Sequence, residues 1–174
     1  MSTLGSFIWS IADQLRGPYR PNQYGNVILP LTILRRLDCI LEPDRDVVRD
    51  LDKKYDNPKR LKVEVTKATG LGFYNTSNYS FANLLADADG LTDNLIDYID
   101  RFSADVDVFE YFDFKKEILA LEKAELLREV VKAFGAVDLH PSVVSNSDMG
   151  DAFEYIIRKF NEAANETSGD HYTP

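Results

Sequence analysis

Residues 27–41 read VILPLTILRRLDCIL, and their apolar side chains recur at intervals of three and four positions. That spacing gathers them on one face of an α-helix, because a helical turn holds about 3.6 residues. Pro30 falls within the pattern and is expected to kink or split this helix, since proline lacks the N–H that a helix interior uses. Glu42-Pro43 is expected to end it. The apolar positions are Val27, Ile28, Leu31, Leu34, Leu37, Ile40 and Leu41.

The same spacing occurs on both sides of this stretch. Residues 4–15 predict a first helix, which Gly17-Pro18 stops. Residues 44–54 predict a charged surface helix with three apolar side chains turned toward the core. Those side chains are Val47, Val48 and Leu51.

Further helical patterns follow toward the C-terminus. Helices are predicted to begin near residues 81 and 91, and one or two more cover residues 118–134. A last helix carries an apolar face that runs from Met149 to Phe160, and Ser147 is a candidate N-cap for it. That apolar face comprises Met149, Phe153, Ile156, Ile157 and Phe160.

Two segments interrupt the helical patterns. Leu61, Val63 and Val65 alternate as in a β-strand, and a short helix is an equal alternative. Residues 73–79 mix aromatic side chains with Asn, Thr and Ser, which predicts an ordered loop. The expected fold class is therefore all-α, a compact multi-helix domain with at most a minor short strand pair.

The composition is that of a soluble globular domain. The chain has 174 residues, of which 44% are hydrophobic and 28% charged. Cys39 is the single cysteine, which excludes an intramolecular disulfide and suits a reducing cytoplasm. The N-terminus shows no signal-peptide pattern, and the richest apolar stretch is too short to cross a bilayer. We therefore expect a cytoplasmic protein without a membrane partner.

The charge is unevenly distributed. The formal net charge is −9, and residues 87–113 alone hold nine acidic residues against one basic residue, Arg101. Residues 53–67 hold six basic residues against two acidic ones. An acidic domain is a poor autonomous binder of nucleic acid, because phosphate contacts need clustered Lys and Arg. DNA contact would require a local basic patch within a larger complex, and Lys59, Arg60 and Lys62 are the candidates.

Metal and nucleophilic sites find little support in the sequence. His140 and His171 are the two histidines, and no zinc-ligand spacing occurs. The acidic residues of 87–90 and 105–113 lack the pattern of a calcium loop, so a solvated acidic face is favoured. No Gly-x-Ser-x-Gly motif and no phosphate-binding loop occur. Arg35 and Arg36 could contact phosphate or a partner, or could be ordinary solvated surface.

Three blocks of sequence point to a known family. The first spans residues 8–38 and includes IWSIADQLRG, YGNVILPL and LRRLD, and the second is FYNTSNYSF at 73–81. The third begins with MGDAFEYII at residue 149 and ends with GDHYTP at 169–174. In order and spacing, these blocks resemble the N-terminal helical domain of the modification subunit of type I restriction-modification systems.

The resemblance implies a SAM-dependent, adenine-specific DNA methyltransferase as the complete subunit. That subunit would methylate adenine N6 with S-adenosylmethionine and work on double-stranded DNA with a specificity subunit and a restriction subunit. Residues 1–165 would form its N-terminal helical domain, and residues 166–174 a linker and the start of the methyltransferase domain. One edge of the cofactor pocket would comprise Asp170, His171, Tyr172, Thr173 and Pro174, although His171 departs from the aromatic residue often found there.

Thr173-Pro174 is also typical of a helix start, because Thr is a good N-cap and Pro is favoured at the first helical position. The family's Asn/Asp-Pro-Pro-aromatic catalytic motif does not occur in these 174 residues, which are therefore expected to be inactive alone. The helical domain's implied task is to help subunits assemble and to enclose DNA. The alternative is a stand-alone helical module for protein–protein interaction, without methyltransferase activity.

Overall fold

The computed structural model describes residues 3–169, and their secondary structure is helical. Two 3₁₀ turns, Pro21–Gln23 and Glu42–Asp44, flank the second helix. Within the described range no β-strand occurs, and isolated bridges join Arg16 to Tyr19 and Asn75 to Phe102. The all-α prediction is confirmed. The helices are α1 (Thr3–Leu15), α2 (Tyr24–Leu41), α3 (Arg45–Lys54), α4 (Pro58–Thr69), α5 (Phe81–Leu84), α6 (Leu91–Asp100), α7 (Val108–Tyr111), α8 (Phe114–Lys123), α9 (Leu127–Gly135) and α10 (Asn146–Gly169).

Helix α2 lies at the centre of the fold and contacts α1, α8, α9 and α10. Its predicted apolar face is buried, with Val27, Ile28 and Leu31 inaccessible to solvent. Pro30 does not split the helix, contrary to one of the outcomes expected from the sequence. Its ring is buried in the core, and the fixed φ of proline matches a helix, so favourable packing offsets the one backbone hydrogen bond that is lost.

Helix α10 packs on the N-terminal part of the fold. The ring of Phe160 meets Trp9 and Tyr24 edge-on, at centroid distances of 5.4 and 5.3 Å. The predicted N-cap was wrong: α10 begins at Asn146, and the Ser145 hydroxyl accepts a hydrogen bond from the Asp148 N–H at 3.1 Å. Ser147 lies inside the first turn, where its side chain cannot cap. Ile157 was also misplaced, because its side chain is largely exposed.

Helices α3 and α4 pack against each other and bury a small second cluster formed by Val48, Leu61, Val65 and Tyr74. Of the two alternatives for residues 61–65, the helix is confirmed and the strand is wrong. Leu61 and Val65 are four residues apart and share the buried face, whereas Val63 is 48% exposed. Val47 was predicted to turn inward but is 40% exposed, and Val48 is the valine of α3 that is buried.

Asn57 sets the start of α4. Its side-chain oxygen accepts hydrogen bonds from the N–H groups of Lys59 and Arg60, at 2.9 and 3.4 Å. Asn57→Ala is therefore expected to lower the free energy of unfolding by about 1 kcal/mol. Urea denaturation followed by circular dichroism measures this change. Asn57→Asp is the matched control, since it keeps the capping oxygen, and an equal loss in both variants would contradict the capping role.

Candidate nucleic-acid interface

Lys59, Arg60 and Lys62 lie on the first two turns of α4, and all three are exposed. The Asn57 cap and the proline at the first helical position fix where this helix begins. The three cations are thereby held on a rigid element at the surface. The structure thus brings them together on one helix, but their surroundings differ.

Two of the three cations already have acidic neighbours. Arg60 Nε donates to Glu64 Oε1 at 3.0 Å, and its guanidinium lies 5.4 Å from the centroid of the Tyr55 ring. Lys62 Nζ lies 3.4 Å from Asp105 Oδ2. Lys59 forms no ion pair with any residue in the described part of the chain. Lys59 is therefore the cation that can reach a phosphate without first breaking an existing pair.

The Lys62–Asp105 pair joins the basic segment to the acidic segment of the sequence. Burial alone would raise the pKa of Asp105, but hydrogen bonds from Ser103 and Lys62 lower it below its ordinary value. Asp105 therefore remains a carboxylate at neutral pH. The positive potential around α4 is reduced on this side, which favours Lys59 over Lys62 as a DNA contact.

A polar groove of about 680 Å³ lies beside α3, between that helix, α6 and the loop at 73–79. Arg49, Lys53 and Arg101 line it, together with Asp52 and Asp97. Arg101 donates to Asp97 at 2.9 Å, and Arg49 lies 3.5 Å from Asp46. The sequence reasoning missed Arg49 and Arg101 as members of one surface. Arg101 is the single basic residue of the acidic segment, so counting charges along the sequence did not indicate that it shares a surface with Arg49.

The loop at 73–79 is ordered, as predicted. The Asn75 side-chain amide donates to the Tyr98 carbonyl at 2.7 Å, and the Ser77 hydroxyl donates to Asp97 at 2.9 Å. Thr76, Asn78 and Tyr79 of this loop line the polar groove. The loop therefore anchors α6 and supplies hydrogen-bonding groups at the surface.

Arg35 and Arg36 are not ordinary solvated surface, so that alternative was wrong, because both are largely buried and hydrogen-bonded within the domain. Arg35 Nε donates to the Val137 carbonyl at 2.8 Å. Arg36 is 9% exposed and donates to the carbonyls of Leu139 and Val144, at 3.0 and 2.7 Å. These arginines hold the segment between α9 and α10 against α2. The acceptors are backbone atoms about a hundred residues away, which no local pattern reveals.

A buried cluster around Asp38, here called the Asp38 cluster, comprises Asp38, Arg35, Arg45 and Tyr98. The Asp38 carboxylate accepts from Arg35 at 2.7 Å, from the Tyr98 hydroxyl at 2.6 Å, and from Arg45. It also accepts from the Phe81 N–H at 3.2 Å. These bonds join α2 to α3, α5 and α6.

The electrostatics of the Asp38 cluster follow from burial and charge. Burial raises the pKa of the Tyr98 hydroxyl well above its ordinary value, and the Asp38 carboxylate raises it further. Burial alone would lower the pKa of Arg45, but Tyr98, Glu42 and Asp38 together raise it above its ordinary value. Tyr98 stays neutral and Arg45 charged, and their hydrogen bonds to Asp38 make the cluster a structural joint between helices.

The predicted cofactor residues Asp170, His171, Tyr172, Thr173 and Pro174 lie outside the described residues, and their role stays a prediction. Among residues 3–169, no group of three or more His, Cys, Asp or Glu side chains could hold a metal ion. In the same range, no helix is both long and apolar enough to cross a membrane.

Comparison with known proteins gives one match. The family model of the HsdM N-terminal domain matches residues 4–134, which is more than half of the chain and covers α1 to α9 almost completely. No curated protein and no solved structure matches the chain. The chain therefore belongs to the HsdM N-terminal domain family, the N-terminal domain of the modification subunit of type I restriction-modification systems.

Proposed function

We propose that this domain helps a type I modification subunit to assemble with its neighbours and to enclose double-stranded DNA. The neighbours would be the specificity and restriction subunits, and the complete modification subunit would methylate adenine N6 with S-adenosylmethionine. Asp170, His171, Tyr172, Thr173 and Pro174 would form one edge of the cofactor pocket. Membership of the HsdM N-terminal domain family is the observation that carries this proposal.

The proposed DNA contact is centred on Lys59, with Arg60 and Lys62 beside it. Lys59 is exposed, lies in the first turn of α4 and forms no ion pair with a described residue. The N–H groups of Lys59 and Arg60 are already bonded to the Asn57 side chain, so the phosphate would be held by the Lys59 ammonium, and the positive end of the helix dipole supports it. The net charge of −9 opposes DNA binding by the domain alone, so the contact would form within the assembled complex.

Lys59→Glu in the complete subunit is expected to weaken DNA binding by the assembled complex roughly fivefold to tenfold, since one phosphate contact becomes a repulsion. The slope of log affinity against log salt should become shallower by about 0.9, the value for one released counterion. Fluorescence anisotropy with a labelled duplex, measured over a range of salt concentrations, gives both quantities.

Lys132→Glu is the matched control, because it makes the same charge change at an exposed position on α9. Size-exclusion chromatography should show that both variants still assemble. If Lys59→Glu and Lys132→Glu have the same affinity and the same salt slope, the proposed contact at α4 is wrong.

A further inference from the structure

A second groove, here called the acidic groove, lies between the start of α4, the end of α6 and the helices α7 and α8. Its volume is about 840 Å³. Its floor includes Tyr74, Ile99, Phe102 and Phe109. The rings of Phe102 and Phe109 stack on each other at a centroid distance of 5.5 Å, so the floor is aromatic. Such a floor suits an apolar side chain from another molecule.

The rim of this groove carries unbalanced negative charge. Its two cations are already engaged, since Lys115 pairs with Asp100 and Arg101 pairs with Asp97. The carboxylates of Asp56, Glu110 and Asp113 are exposed and form no ion pair with any described residue. A ligand that enters the groove therefore meets free carboxylates above an apolar floor.

Tyr74 adds a hydroxyl to the lining of the acidic groove. Most of the residue is buried, but its hydroxyl oxygen is accessible and forms no hydrogen bond with a described residue. The hydroxyl is therefore available to a ligand that enters the groove. Burial raises the pKa of this hydroxyl, and the carboxylates of Asp52 and Asp105 raise it further, so it stays neutral. A neutral hydroxyl can accept a hydrogen bond from an ammonium or guanidinium group.

We propose that the acidic groove binds a basic segment of a partner protein, with an apolar side chain on the Phe102–Phe109 floor and lysine or arginine side chains on Asp56, Glu110 and Asp113. Charge complementarity selects this occupant. A nucleic acid would bring phosphates against the same carboxylates and is repelled. The inference rests on the proposed role in subunit assembly and adds the chemistry of the partner surface.

The test uses the chain itself and a fluorescein-labelled peptide, Lys-Leu-Lys-Phe-Lys-Leu-Lys, in an anisotropy titration. The peptide is expected to bind, and a peptide with glutamate in place of each lysine is not. The double variant Asp56→Asn/Glu110→Gln should bind about fivefold more weakly, because two rim charges are removed. Tyr74→Phe should also weaken binding, because it removes the hydroxyl that accepts the hydrogen bond while keeping the ring.

The matched control is Asp89→Asn/Glu122→Gln, which makes the same charge change at exposed positions outside the groove and should leave the affinity unchanged. Absence of binding, or equal weakening by the groove and control variants, would overturn the proposal. Saturable binding of a fluorescein-labelled DNA duplex that Tyr74→Phe weakens and the control variant does not would also overturn it and would assign the groove to nucleic acid. The effect of Lys59→Glu on DNA binding by the complex is a separate readout, so failure of the groove and failure of the proposed DNA role are distinguishable.

Discussion

Replacement of Asp38 by alanine is expected to lower the free energy of unfolding by about 3–5 kcal/mol, among the largest effects of any single change in this domain. The Asp38 side chain is 2% exposed and accepts hydrogen bonds from Arg35, Arg45 and Tyr98. Its removal leaves the largely buried Arg35 guanidinium without its counter-ion and leaves Arg45 with Glu42, whose carboxylate is mostly exposed. The cost arises from this loss of charge compensation more than from the hydrogen bonds themselves. Urea denaturation, followed by circular dichroism, measures the change in the midpoint.

Asp46→Ala is the matched control, because Asp46 also pairs with an arginine, Arg49, but its side chain is almost fully exposed. Water screens that pair, so its loss should leave the midpoint unchanged. A further variant, Asp38→Asn, keeps the volume but presents amide hydrogens toward the guanidinium groups, and it should remain strongly destabilised. Wild-type stability in Asp38→Ala would show that the Asp38 cluster does not hold α2, α3 and α6 together.

Replacement of Arg36 by methionine is expected to lower the free energy of unfolding by about 2–3 kcal/mol and to loosen the attachment of α10. Methionine keeps much of the apolar stem but has no donor for the carbonyls of Leu139 and Val144 or for the Asn146 side chain. The segment that leads into α10 then loses its hydrogen bonds to α2. Hydrogen exchange should show faster exchange in α10 than in α8, which contacts α2 independently of this segment.

Arg128→Met is the control for this second variant, since Arg128 is exposed on α9 and forms no hydrogen bond with a described residue. It should change neither the midpoint nor the exchange rates. If α10 keeps its wild-type protection in Arg36→Met, the packing of Phe160 on Trp9 and Tyr24 is sufficient to hold the helix.

The helices were predictable because each depends on contacts between neighbours in the sequence. The face of α2 follows from apolar residues three and four apart, whereas residues 61–65 of α4 were left open between a strand and a short helix. The N-cap of α10 was misassigned because two serines of similar capping propensity lie close together there. Ser145 and Ser147 can both cap a helix, and which of them caps α10 depends on the path of the segment that precedes this helix.

Lys59, Arg60 and Lys62 were identifiable as a basic patch from the sequence. Which of the three is free to contact a phosphate was not predictable. The Lys62–Asp105 pair links positions 43 residues apart, and its formation depends on how α4 packs near the segment that follows α6. Arg49 and Arg101 lie on one groove for the same reason. Charge counting along a sequence cannot detect such pairs, because the strength of a pair depends on distance in space.

The sequence by itself determined the all-α class, most of the helices and the family, because periodicity, capping and motif spacing are local properties of the chain. Only the tertiary structure decided the roles of the charged side chains. Arg35 and Arg36 donate hydrogen bonds to backbone carbonyls inside the domain. Lys62 pairs with Asp105, whereas Lys59 forms no ion pair with a described residue. The physical reason is that a charged group acts according to its burial and its nearest partners, and both are set by packing between distant segments.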